Sequence, residues 1–79
     1  MTEEIFAKIV ELLAQTKGVD PATITMDMTF DQLGMDSLDS LALVSDLEEA
    51  YNVTIPNQEV LKIKTVRQAV ESLEKVLNP

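Results

Sequence analysis

Neither cysteine nor histidine occurs in this chain of 79 residues, and that double absence constrains the fold more than any residue present. A domain this short holds one modest core and usually leans on disulfides, bound metal or closely packed helices. Disulfides and thiol- or imidazole-bound metal are closed to it. Helix packing around one aliphatic core is therefore the expected source of stability. The same absence removes the commonest general base and the best soft metal ligands. No catalytic residue and no metal site are expected, and any thiol the protein uses must come from outside.

The apolar pattern agrees with helices. Ile5, Ile9, Leu12 and Leu13 recur at helical spacing, with Phe6 and Val10 widening the stripe. A first helix is expected from about Glu3 to Lys17, capped by Thr2, with Glu3 and Glu4 at its positive end and Gly18 as its stop. A long connection runs from Gly18 to Asp36. Within it Asp20-Pro21 signals a short helical turn through Ala22 and Ile24, and Ile24, Met28, Phe30 and Leu33 are expected to anchor the loop. A second helix is expected from about Ser37 to Tyr51, with Asp36 as N-cap, Asp39 completing an acidic capping box, and Asn52 suited to the turn that ends it. A short third helix spans about Gln58 to Lys62. The last begins at Thr65 with a T-x-x-Q box to Gln68 and shows Val66, Ala69, Val70, Leu73 and Leu77 on one face. The stretch "YNVTIP" alternates briefly but ends in proline and has no strand partner. The expected fold is all-α, a small four-helix bundle of three longer helices and one short one, with a long loop between helices 1 and 2, forming a single domain over residues 1–79.

Net charge is −8, and it is uneven. Residues 18–61 hold nine acids and no base, whereas residues 62–79 hold two acids and the four bases Lys62, Lys64, Arg67 and Lys75. The acidic block argues against nucleic acid, whose phosphates it would repel. It suits either docking onto basic patches of other proteins or simple solubility. Nine unopposed carboxylates are expected to repel one another, and reversing Asp39 or Glu48 to lysine is expected to slow partner encounter with little effect on folding. The opening "MTEEIFAKIV" carries two glutamates where a signal peptide would be basic, and no apolar run reaches membrane-spanning length. A monomeric cytoplasmic protein without membrane insertion is expected.

The second helix has apolar residues on two sides. At about 100° per residue, Leu43, Val44, Leu47, Ala50 and Tyr51 share an arc about 120° wide, sufficient for a core face. Leu38, Leu41 and Ala42 fall opposite, with Ser45 between them, Glu48 and Glu49 close by, and Asp39 and Asp46 on one flank. A domain of this size cannot bury both faces. Either the long loop covers Leu38 and Leu41, or they form a small docking patch ringed by carboxylates.

Ser37 stands where that face begins, in "LGMDSLDS". No base is available to activate it as a nucleophile, and neither a G-x-S-x-G elbow nor an EF-hand loop fits the spacing. What the position offers is an exposed hydroxyl at a helix N-terminus, where free N–H groups favour a phosphate. The six residues Leu33 to Leu38, "LGMDSL", resemble the modification motif L-G-x-D-S-L of acyl carrier proteins. Phe30 upstream, "LEEAYNVTIP" and the short helix leading to "KIKTV" follow that family's order, so the resemblance covers essentially the whole chain.

The resemblance implies that Ser37 receives 4′-phosphopantetheine from coenzyme A and that acyl chains ride on the terminal thiol of that arm. It implies that Asp36, Leu38 and Asp39 are read by a phosphopantetheinyl transferase. Leu41, Ser45, Glu48 and Glu49 would then line the face offered to synthase enzymes with basic docking patches. Ser45 stands where fatty-acid carriers usually show methionine or another apolar residue, and Ala42 where an acid is common. Both departures leave open a carrier for polyketide or another specialised product, while "DSLDS" favours the fatty-acid type. An unmodified acidic adaptor binding partners through the second helix is the rival from another class.

Overall fold

The computed structural model describes residues 1–78. Four α-helices, α1 (Thr2–Lys17), α2 (Ser37–Tyr51), α3 (Asn57–Val60) and α4 (Val66–Leu77), and one 3-10 turn at Pro21–Thr23 make up its regular structure, with no strand among the described residues. Helix α1 packs against both α2 and α4. Ile5, Ile9 and Leu13 supply its buried stripe. Gly18 ends it in the left-handed conformation, φ +68°, which glycine adopts without a Cβ clash. Thr2 does not cap α1. It is the first helical residue, and its hydroxyl donates across the bundle to the Glu74 carboxylate on α4.

Both predicted capping boxes form. Asp36 and Asp39 exchange side chain and backbone at the start of α2, and Thr65 and Gln68 do the same at the start of α4. Asn52 closes α2 with φ +55°. Along α2, Leu43, Val44 and Leu47 are buried and Tyr51 half-buried, but Ala50 is exposed. It stands at the edge of the apolar arc, while Tyr51, one residue further on, still packs against the core. The apolar face of α4 is as expected, with Leu77 only half-buried at its end. The short helix α3 starts at Asn57 and stops at Val60, earlier than its sequence suggests. Beyond it the bonds tighten to i+3, Lys62 N–H to the Glu59 carbonyl and Ile63 N–H to Val60, and this turn swings Ile63 into the core.

The long loop is fastened at several points. Asp20 caps the 3-10 turn by accepting the Ala22 N–H at 3.0 Å. Ile24 and Phe30 are buried, and Met28 and Leu33 pack partly against the core, as expected; Met35 is also buried. Next to Phe30 the loop runs antiparallel to the α3–α4 connector through an isolated bridge between Thr29 and Thr65. The Phe30 N–H donates to the Lys64 carbonyl (3.0 Å), Val66 N–H to Met28 (3.0 Å) and Arg67 N–H to Met26 (2.9 Å). These bonds hold the segment that leads into α2.

Candidate functional site

The approach to Ser37 is a tight turn with one demand on sequence. The Leu33 and Met35 N–H groups both donate to the Phe30 carbonyl, at 3.1 and 3.0 Å, and the Gly34 N–H donates to Asp31 at 3.0 Å. Gly34 takes φ +75°. A Cβ at that position meets nothing within 4 Å, so the need for glycine is conformational and not steric crowding. The turn sends Met35 into the core and delivers Asp36 in extended conformation as N-cap. Its carboxylate accepts the Asp39 N–H at 2.9 Å, while the Asp39 carboxylate accepts the Asp36 N–H at 3.2 Å.

Ser37 is thus the first residue of a doubly capped helix, exposed, with a hydroxyl that makes no hydrogen bond among the described residues. The N–H groups of Ser37 and Leu38 also lack partners there, at the positive end of the helix dipole. These groups fit a phosphate ester on the serine.

Asp39 has a further partner. Lys17, the last residue of α1, places its Nζ 3.1 Å from the Asp39 carboxylate. The Asp36 N–H, followed by this lysine, holds the Asp39 carboxyl below the usual carboxylate range. The end of α1 is so tied to the start of α2. Glu48 is also engaged: it is half-buried and accepts the Ile55 N–H at 2.6 Å, fastening the segment after α2. Both carboxylates thus hold structure as well as surface charge, so reversing either is expected to cost stability, where the sequence suggested little effect on folding. Nor are the nine central acids all unopposed. Asp27 pairs with Arg67 at 2.9 Å and Glu59 with Lys75 at 3.8 Å.

The second apolar face of α2 is free. Leu38 is 75% exposed and Leu41 52%, and Ala42, Ser45 and Glu49 are exposed beside them; the long loop does not cover this face. Between the start of α2 and the α3–α4 connector lies a cleft of about 530 Å³. Asp36, Ser37, Ser40 and Leu41 form one wall, Val60, Leu61, Ile63 and Lys64 the other, and Phe30 and Met35 contribute apolar surface. A larger depression, about 740 Å³, lies along α4 between Glu59, Lys62, Glu71 and Lys75, and Ser37 is not part of it. The cleft gathers Asp36, Ser37 and Leu41, while Leu38, Asp39, Ser45, Glu48 and Glu49 stand outside its walls. Reading the sequence missed the connector wall. No local pattern marked it: of Leu61-Lys62-Ile63-Lys64 only Ile63 is buried, so the apolar-polar alternation there does not report burial, which follows from the i+3 turn after α3.

Residues 7–73 match the family described as "Phosphopantetheine attachment site". The chain is 44% identical over 70 residues to an acyl carrier protein of Rubrobacter xylanophilus, covering 87% of this chain and 86% of that one. It is 40% identical over 77 residues to that of Petrotoga mobilis, covering 96% and 91%. The crystal structure of an acyl carrier protein from Thermotoga maritima is similar with a TM-score of 0.87 at 32% identity, covering 96% of this chain and 89% of the other.

Proposed function

The chain belongs to the acyl carrier protein family, a carrier and not a catalyst, and from that premise we propose that Ser37 is the residue bearing its 4′-phosphopantetheine. One observation carries the assignment: Ser37 is exposed, its hydroxyl uncommitted among the described residues, at the first position of a doubly capped helix and on the wall of a cleft whose lining mixes apolar and polar residues. When bound, the group supplies a terminal thiol that takes acyl chains as thioesters. The chain's own residues do the rest. Asp36 and Asp39 hold the helix start, which aims the hydroxyl outward. The unpartnered N–H groups of Ser37 and Leu38 favour the negative charge of the ester. Phe30, Met35 and Ile63 offer apolar surface within the cleft.

The proposal extends to partners. A phosphopantetheinyl transferase reads Asp36, Leu38 and the outer edge of Asp39. Enzymes of fatty acid synthesis approach the free face of α2 with basic patches, meeting Leu41, Ser45 and Glu49 and, at its margin, Glu48. Exposed Ser45 and Ala42 make that face less apolar and less acidic than usual for the fatty-acid type, and this observation favours a specialised carrier as the second reading. The protein works as a single cytoplasmic carrier domain and a monomer. No helix among the described residues is long and apolar enough to cross a membrane.

Intact mass after incubation of the unmodified protein with coenzyme A and a broad-specificity transferase tests the assignment. The wild type should gain one phosphopantetheinyl group and Ser37→Ala none. No gain on the wild type, leaving an acidic adaptor, or an equal gain on Ser37→Ala, would overturn it.

A further inference from the structure

Six cations are present in the chain, and four are neutralised where they stand: Lys8 by Glu11, Lys17 by Asp39, Arg67 by Asp27 and Lys75 by Glu59. Lys62 and Lys64 enter no ion pair among the described residues. Ile63 is buried between them, and they line different depressions, Lys62 the one along α4 and Lys64 the cleft beside Ser37. Among the described residues, Lys64 is the only cation on that cleft. Its backbone is fastened on both sides, the carbonyl accepting the Phe30 N–H at 3.0 Å and its own N–H donating to Gln68 Oε1 at 2.7 Å. The side chain is exposed and enters no ion pair among the described residues, on a backbone that is fixed.

Two carboxylates, Asp31 and Asp36, line the same cleft without pairing with Lys64, and that of Asp36 is engaged by the Asp39 N–H. A phosphodiester on Ser37 adds a fixed negative charge beside Asp36 and Asp39, where a nearby cation relieves repulsion. We propose that Lys64 is a positioning residue for the prosthetic arm. Its ammonium pairs with the phosphodiester on Ser37 and holds the root of the arm against the cleft, between Leu41 and Leu61. A solvent-exposed pair of this kind biases a population without locking it, so a partner enzyme can still draw the arm away. The inference rests on the assignment of Ser37.

The test uses wild type, Lys64→Gln, Lys64→Arg and Lys62→Gln, each loaded from coenzyme A and weighed intact beside Ser37→Ala. Failure to load at Ser37 overturns the attachment assignment and this inference with it; successful loading isolates Lys64. Phosphorus NMR then reads the diester, and nuclear Overhauser contacts between the arm and the Leu61 methyl groups read how often the arm is seated. Lys64→Gln should displace the phosphorus resonance and reduce the seated fraction about two- to fivefold, the range an exposed charge pair supports. Lys64→Arg should restore both, and Lys62→Gln should alter neither. Superimposable amide spectra of the unloaded variants separate the effect from misfolding, since Lys64 makes both fastening bonds with its backbone groups and not its side chain. An unchanged resonance and seated fraction in Lys64→Gln, or an equal change in Lys62→Gln, overturns the proposal.

Discussion

Helices α2 and α4 start with the same reciprocal capping box, yet their apolar residues meet opposite fates. In α4, Val66, Ala69, Val70 and Leu73 lie on one stripe and are all buried to 1% exposure or less. In α2, Leu43, Val44 and Leu47 face the core while Leu38 and Leu41 face water. A stripe at i, i+3, i+4 and i+7 is absorbed whole by a neighbouring helix. Apolar residues on two sides leave a surplus that so small a core cannot take up. The surplus begins one residue after Ser37, so the difference between the helices separates the part that holds the fold from the part offered to partners.

The largest expected effect tests that separation. Leu73→Ala should lower unfolding stability by about 2–5 kcal/mol, the cost of emptying a fully buried leucine site. Leu41→Ala should stay within about 0.5 kcal/mol. Urea denaturation of the two variants compares them; similar losses would break the contrast between the helices.

A smaller effect distinguishes two adjacent acids on α2. Glu48→Ala removes the acceptor of the Ile55 N–H and should cost about 1 kcal/mol and speed exchange of the Ile55 amide. Glu49→Ala should do neither, since no side-chain partner holds Glu49 among the described residues. Equal behaviour would show that α2 presents both acids alike.

The smallest effect is a pH dependence. The Asp39 carboxyl titrates lower in the folded protein than its ordinary value of 3.8, because the Asp36 N–H and Lys17 favour the charged form. A depressed folded pKa contributes stability above the unfolded value, and that contribution is lost as the pH falls through the folded value. The melting-temperature gap between wild type and Asp39→Asn should therefore be full above about pH 5 and close on further acidification. A gap that widens in acid would contradict this sign.

Much of the fold was legible in sequence because its signals are local. Asp36 with Asp39, Thr65 with Gln68, and Gly18 each act within one helical turn. The loop anchors Ile24 and Phe30 were visible as isolated apolar residues in a polar stretch. Met35 was not, because the turn that sends it inward is bonded to Phe30, which is itself fastened to the Lys64 carbonyl far along the chain. Thr2 read as a cap because the nearest N–H groups are its own helix's, whereas its partner Glu74 lies 72 residues away.

The sequence by itself determined where α2 starts, that Ser37 stands at its mouth, and that α2 carries apolar residues on two sides; that the long loop leaves Leu38 and Leu41 uncovered is a fact of the tertiary structure. Periodicity and capping are properties of neighbours within about four residues, and no packing arrangement alters them. Only the tertiary structure decided which charges are free. Lys17 reaches Asp39 across 22 positions and Arg67 reaches Asp27 across 40, while Glu48 turns to the Ile55 N–H. Lys64 enters no ion pair among the described residues and lines the same cleft as Ser37. Those outcomes depend on which backbones packing brings together, and no local rule contains that.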